Sequence, residues 1–129
     1  MEQAKSARPK ILLAEDEEHI AKLIVFKLNR EGYDVSVAQN GREALELFEK
    51  DEYKLLILDV MMPLVDGMEV LKRVRATARP SAHVPILMLT AKGRQSDAAQ
   101  AADLGATQFL RKPFDPAELA SIVGALVNR

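Results

Sequence analysis

The chain has 129 residues, nearly half of them hydrophobic and 29% charged, with a net charge of −1 and no cysteine. That composition fits one globular domain with room for a core, and not a disordered tail. It excludes disulfides and thiolate metal sites and makes no electrostatic case for direct nucleic-acid or anionic-membrane binding, and no apolar run approaches the ~20 residues of a membrane helix.

The opening MEQAKSARPK leads into an apolar run, Ile11–Ala14, that is too short for a signal-peptide core. Residues 1–9 are expected to form a loose extension and 10–129 a single domain, with the cytoplasm as compartment. Ile11–Ala14 (ILLA) is a first strand. Glu17–Arg30 follows with Ile20, Leu23, Ile24 and Leu28 at helical spacing, and Gly32 is its C-terminal stop. Tyr33–Ala38 alternates as a half-exposed strand does. Asn40-Gly41 has turn chemistry, and Ala44, Leu45, Leu47 and Phe48 mark the next helix. Leu55–Leu58 is a third strand with four apolar residues in a row, and it ends on Asp59. Asp66 can cap a helix running to about Ala76. The stretch RPSAHVP is looser, and Ile86–Leu89 is a fourth strand. Ser96–Leu104 is a short alanine-rich helix stopped by Gly105, and Gln108–Arg111 is a brief fifth strand. Asp115-Pro116 starts the last helix, whose apolar stripe is Leu119, Ile122, Val123 and Leu126.

Strand and helix alternate five times, and the strands are nearly continuous in apolar residues. That pattern predicts an α/β domain with a parallel sheet buried on both faces. In open α/β sheets, ligands bind outside the carboxyl ends of the strands. Glu15 and Asp16 follow the first strand, Asp59 ends the third, Thr90 ends the fourth and Lys112 follows the fifth. Each alone has a bland reading: a helix cap for Glu15 or Asp16, a turn residue for Asp59, a structural or solvated role for Thr90 and Lys112. Together they suggest one edge with three carboxylates, a hydroxyl and an ammonium. Carboxylates at close range repel, and a hard divalent cation relieves that conflict. Mg²⁺ suits a site of one or two carboxylates, waters and a phosphate oxygen. The set therefore points to phosphoryl transfer in which an aspartate can be the nucleophile.

These residues sit in segments that resemble the receiver domains of response regulators, the CheY-like family: ILLAEDE, LLILDVMMPLVDG, ILMLTAKG and GATQFLRKPF, in family order over about Lys10 to Asn128. The resemblance implies a flavodoxin-like five-stranded parallel sheet in the order 2-1-3-4-5 with helices on both faces. It implies that Asp59 accepts a phosphoryl group from a histidine kinase, a phosphotransfer protein or a small acyl phosphate. Asp16 and Asp59 would bind Mg²⁺ directly, with Glu15 acting partly through water and Met61 giving its backbone carbonyl. Lys112 would pair with Asp59 and then with the phosphoryl group, Thr90 would hydrogen-bond a phosphoryl oxygen, and Lys112-Pro113 would be cis. Phe109 stands at the aromatic switch position, with an ordinary core aromatic as the alternative. Met61 and Lys92 flank the site and are expected to slow water attack on the phosphoaspartate.

The chain departs from the family in two places. Ala98, Ala99, Ala101 and Ala102, with Thr107, Gln108 and Ile122, replace much of the charge ladder common on the face made by the fourth helix, fifth strand and fifth helix. A ladder-type dimer is thus not expected; a monomer or weak phosphorylation-dependent dimer is, and that face would dock a downstream protein or serve only to pack alanines on the sheet. MPLVDG differs from the commoner MPGMDG at Leu64 and Val65, which with Val25 and Phe26 are expected to form a kinase-docking patch. The resulting reading is a stand-alone signalling switch, not an enzyme beyond its own phosphorylation and dephosphorylation. Its rivals are a receiver cut from a hybrid kinase or transcription factor, a phosphohydrolase with an aspartyl-phosphate intermediate, and a flavin or nucleotide binder. The phosphohydrolase is disfavoured because Met61 stands where a second acid belongs, and the nucleotide binder because no glycine-rich loop follows the first strand.

Overall fold

Five strands form on the short apolar runs: β1 (Lys10–Ala14), β2 (Asp34–Ala38), β3 (Leu55–Asp59), β4 (Ile86–Thr90) and β5 (Gln108–Arg111). Five α-helices alternate with them: α1 (Glu18–Arg30), α2 (Gly41–Lys50), α3 (Gly67–Ala76), α4 (Gln95–Asp103) and α5 (Pro116–Val127). The structure is a computed structural model that describes residues 8–91 and 95–128. All strand pairs are parallel, in the order β2-β1-β3-β4-β5, as the family resemblance implies. No described helix is long and apolar enough to cross a membrane.

Successive strand residues face opposite sides, so each strand feeds two cores. Leu12, Ala14, Leu56, Leu58, Ile86 and Met88 pack under α2, α3 and α4, with Phe48, Leu71 and Val74 among their partners. Ile11, Leu13, Leu55, Ile57, Leu87 and Leu89 pack under α1 and α5, against Ile24, Leu28, Leu119 and Val123. β1, β3 and β4 are buried on both faces, and each fully buried Leu or Ile there contributes roughly 1.5–3 kcal/mol. β2 is an edge strand with Val37 partly exposed, which explains its alternating sequence.

Local chemistry sets the helix ends. Asn40, in the dipeptide that reads as a turn, caps α2 by accepting from Glu43 N at 2.8 Å. Asp66 caps α3 through Glu69 N at 2.9 Å, and Asp115 caps α5 through Ala117 N at 2.8 Å. Gly32 takes φ +99° just beyond α1, as its stop position requires.

RPSAHVP contains a 3₁₀ turn, Pro80–His83, that composition alone does not announce. Arg75, in the last turn of α3, holds it. Its guanidinium donates to Ala82 O at 2.7 Å, Val84 O at 2.6 Å and Gly105 O at 2.9 Å. Thr107 Oγ1 accepts from Ile86 N at 2.9 Å, which pins the start of β5 to the start of β4. Of the expected extension, Arg8 and Pro9 are described. Arg8 donates to Tyr33 O at 2.7 Å, and Pro9 O accepts from Asp34 N at 2.9 Å.

Candidate functional site

Strand register brings the candidate residues together. Ala14 pairs with Leu58, so Glu15 and Asp59 each come one step further along neighbouring strands. Asp59 is level with Leu89, and Thr90 with Arg111, so Thr90 and Lys112 arrive at the same carboxyl edge. Lys112 N donates to Thr90 O at 2.7 Å, and the Lys112-Pro113 peptide is cis.

At this edge Lys112 Nζ donates to Asp59 Oδ2 at 3.0 Å and lies 2.9 Å from Glu15 Oε1. Met61 N donates to Asp59 Oδ1 at 3.2 Å, so both oxygens of this carboxylate are held. Glu15 Oε2 accepts from Glu17 N at 3.1 Å. Asp16 is exposed beside them, and one carboxylate oxygen from each of Glu15, Asp16 and Asp59 lies within 4.8 Å of the others.

The electrostatics are unbalanced. Burial pushes the Glu15 carboxyl up to about 7; the Lys112 ammonium opposes that rise and the Asp59 charge adds to it. Burial by itself would lower Lys112, but Glu15 and Asp59 outweigh it and hold its pKa above the ordinary lysine value. Glu15 Oε1 is fully buried and, although close to Lys112, makes no hydrogen bond of acceptable direction. An under-satisfied buried carboxylate oxygen beside two more carboxylates fits a hard divalent cation with oxygen ligands. The bland cap reading of Asp16 finds no support, because α1 begins at its N-cap Glu17 with no side-chain cap bond.

Thr90 is buried, and it lines a groove of 320 Å³ with Ala98, Phe109, Arg111, Glu118 and Ile122. Phe109 is 45% exposed, so the ordinary core-aromatic alternative does not hold in this conformation. The alanine-rich helix divides. Ala101 is fully buried against the sheet while Ala99 and Ala102 face outward. The expected four-residue docking patch also divides. Val25 packs with the core under α1 and α5, and Val65 with the core under α2 and α3, on opposite faces of the sheet. Lys92 lies outside the described residues.

Two glycines make room for the loop that leads from Asp59 into α3. A Cβ on Gly67 would overlap the Asp59 carbonyl oxygen, and one on Gly41 would overlap the Val65 carbonyl oxygen. The loop after β3 is therefore wedged between the starts of two helices. The one signal in the sequence was that each glycine directly follows a capping residue, Asn40 or Asp66.

The family model of the response regulator receiver domain matches residues 11–124. The alkaline phosphatase synthesis transcriptional regulatory protein PhoP of Bacillus subtilis is 43% identical over 120 residues, which are 93% of this chain and 49% of that protein. A transcriptional regulatory protein of Haemophilus influenzae, the CpxR homolog, is 41% identical over 120 residues, covering 93% of this chain and 51% of its own length. The chain thus spans about half the length of these curated relatives. Among solved structures, the receiver domain of Francisella response regulator 1452 superposes with a TM-score of 0.86 at 34% identity, covering 95% of this chain and 98% of that one. The chemotaxis response regulator CheY4 of Vibrio cholerae gives a TM-score of 0.84 at 34% identity, covering 93% and 99%.

Proposed function

This chain belongs to the family of response regulator receiver domains, and on that premise we propose that it is a phosphoacceptor switch of two-component signalling, with Asp59 taking the phosphoryl group. The observation that carries this reading is the hold on Asp59. Met61 N fixes one oxygen and Lys112 Nζ the other, beside Glu15 and Asp16.

The donor is a phosphohistidine on a kinase or phosphotransfer protein. A carboxylate oxygen of Asp59 attacks phosphorus, the P–N bond breaks, and its electron pair returns to the imidazole nitrogen. Lys112 holds a phosphoryl oxygen as charge shifts outward, and the Thr90 hydroxyl donates to another. Glu15, Asp16, Asp59 and the Met61 carbonyl would hold Mg²⁺, which supplies charge neutralisation for the carboxylates and the phosphoryl oxygens. Water attack on the phosphoaspartate releases phosphate and restores the carboxylate, so phosphorylation and its reversal are self-catalysed and no external product is the purpose. Met61, exposed and two residues beyond Asp59, slows this attack.

The new phosphoryl oxygens draw Thr90 toward Asp59, and Phe109 moves from its half-exposed position into the space behind it. The α4–β5–α5 face then presents a different surface to a downstream protein. The chain acts in the cytoplasm, as a monomer or a weak phosphorylation-dependent dimer, and does not itself contact nucleic acid. The length of the curated relatives favours a second reading, in which the same module serves as the receiver of a longer transcriptional regulator and passes its state to an attached domain.

Labelled acetyl phosphate with Mg²⁺, followed by peptide mapping and a turnover assay on a generic phosphate ester, tests this reading. One label per chain on the peptide bearing Asp59, with no ester turnover, is expected. Sustained ester hydrolysis would replace the switch with a phosphohydrolase.

A further inference from the structure

The chain has no cysteine and no tryptophan, so the thioethers of its five methionines are the side chains most open to a peroxide. Met1 lies outside the described residues. Met88 is fully buried, and Met62 and Met68 are 9% and 8% exposed, all three in the core under α2, α3 and α4. Met61 is 53% exposed. An oxidant in solution therefore reaches its sulfur well before those of the other three. Met61 N donates to Asp59 Oδ1 at 3.2 Å. That contact puts the Met61 Cα within about 5 Å of the carboxylate oxygen. Met61 thus joins an accessible sulfur to the side chain that takes the phosphoryl group, on an unbranched stem with three rotatable bonds.

Resting on the phosphoacceptor reading, we infer that Met61 is a site of reversible oxidation by hydrogen peroxide, and that its sulfoxide shortens the life of the phosphoaspartate. The sulfur lone pair attacks one peroxide oxygen, and the O–O bond breaks. The departing hydroxide takes the remaining proton and leaves as water, so the sulfur is oxidised by two electrons and the peroxide reduced by two. A thioether is apolar and a weak acceptor. The sulfoxide is polar, and its oxygen accepts strongly from water. On a side chain rooted beside Asp59, that oxygen holds a water within reach of phosphorus and draws on its proton as it attacks. Hydrolysis that the thioether slows is then hastened, and an oxidant turns the switch off without altering Asp59 or Lys112. A sulfoxide reductase and two thiols return the thioether, releasing a disulfide and water, and the longer lifetime returns with it.

In the test, the full chain is treated with hydrogen peroxide, digested, and its peptides are sequenced by fragmentation. Met61 is expected to gain one oxygen well before Met62, Met68 and Met88. Treated and untreated chains are then labelled with acetyl phosphate and Mg²⁺, freed of donor, and followed as the label is lost. The treated wild type is expected to lose it about fivefold faster, the scale of one added hydrogen bond in the transition state. Sulfoxide reductases of both epimer specificities, with dithiothreitol, are expected to restore the slower rate. Met61→Leu is compared with its own untreated form, and peroxide is expected to leave its rate unchanged, which also separates Met61 from Met1. Oxidation of Met61 no earlier than that of the buried three would overturn the inference. So would a treated wild type that takes no label, loses it no faster or is not restored, or an equal acceleration in Met61→Leu. An untreated wild type that takes no label would instead remove the phosphoacceptor reading itself, and this inference with it.

Discussion

Glu15 and Asp59 are carboxylates buried side by side with Lys112 between them, and each of the three is held at a cost that another offsets. Replacing Lys112 by methionine leaves two buried negative charges without their cation. Chemical denaturation without metal is expected to show a loss of about 3 kcal/mol, with Mg²⁺ restoring part of it. An unchanged midpoint would mean that the triad does not bear on stability. Glu15→Gln keeps the shape and removes the charge that burial opposes. Its metal-free melting temperature is expected to equal or exceed that of the wild type. Its Mg²⁺ affinity by calorimetric titration is expected to fall ten- to a hundredfold, on the order seen when groups around a metal site are removed. The identities of these side chains were readable from sequence because each stands at a strand end. The exposure of Phe109 was not, because a four-residue strand carries too few positions to tell a core aromatic from a surface one.

At the level of elements, alternation of apolar runs with helical periodicity made the five βα units legible, since a parallel sheet buried on both faces needs such runs. What the sequence did not disclose were contacts between elements distant along the chain. Arg75 ties α3 to the approach to β4 and to the α4–β5 turn through carbonyl oxygens, and no periodicity encodes such bonds. Asn40-Gly41 reads as a turn and Asp66 as a helix cap, yet Gly41 and Gly67 each also give room to backbone from the loop after β3. Gly67→Ala must push the Asp59 carbonyl aside, and a loss of about 2 kcal/mol or more is expected on thermal denaturation. Gly124, inside α5, offers the contrast. Its nearest obstacle to a Cβ is Tyr33 Oη at 3.7 Å, an ordinary contact. Gly124→Ala is therefore expected to stabilise the protein by about 0.5–1 kcal/mol through helix propensity. A loss at position 124 or a gain at position 67 would contradict this account of the packing.

For the molecule as a whole, the fold confines a cluster of like charges to one edge of a sheet that is otherwise a hydrocarbon core, and it leaves the rim of that edge exposed. The family, the strand order and the convergence of Glu15, Asp16, Asp59 and Lys112 were legible because motifs fall at successive strand ends. The positive φ of Leu64, +69°, was not, because a backbone angle leaves no mark on composition. Mg²⁺ binding to the folded form alone should raise its stability by about 2.7 kcal/mol when the ion is present at a hundred times its dissociation constant. That gain is expected to vanish in Asp16→Asn, and an equal gain in the variant would place the ion elsewhere. The most direct measurement of the central claim is intact mass after incubation with acetyl phosphate, with Mg²⁺ or with a chelator. The wild type with Mg²⁺ is expected to gain the mass of one phosphoryl group, and the chelated wild type and Asp59→Asn to gain none. An adduct that persists in Asp59→Asn, or a wild type that gains no mass, would contradict the account.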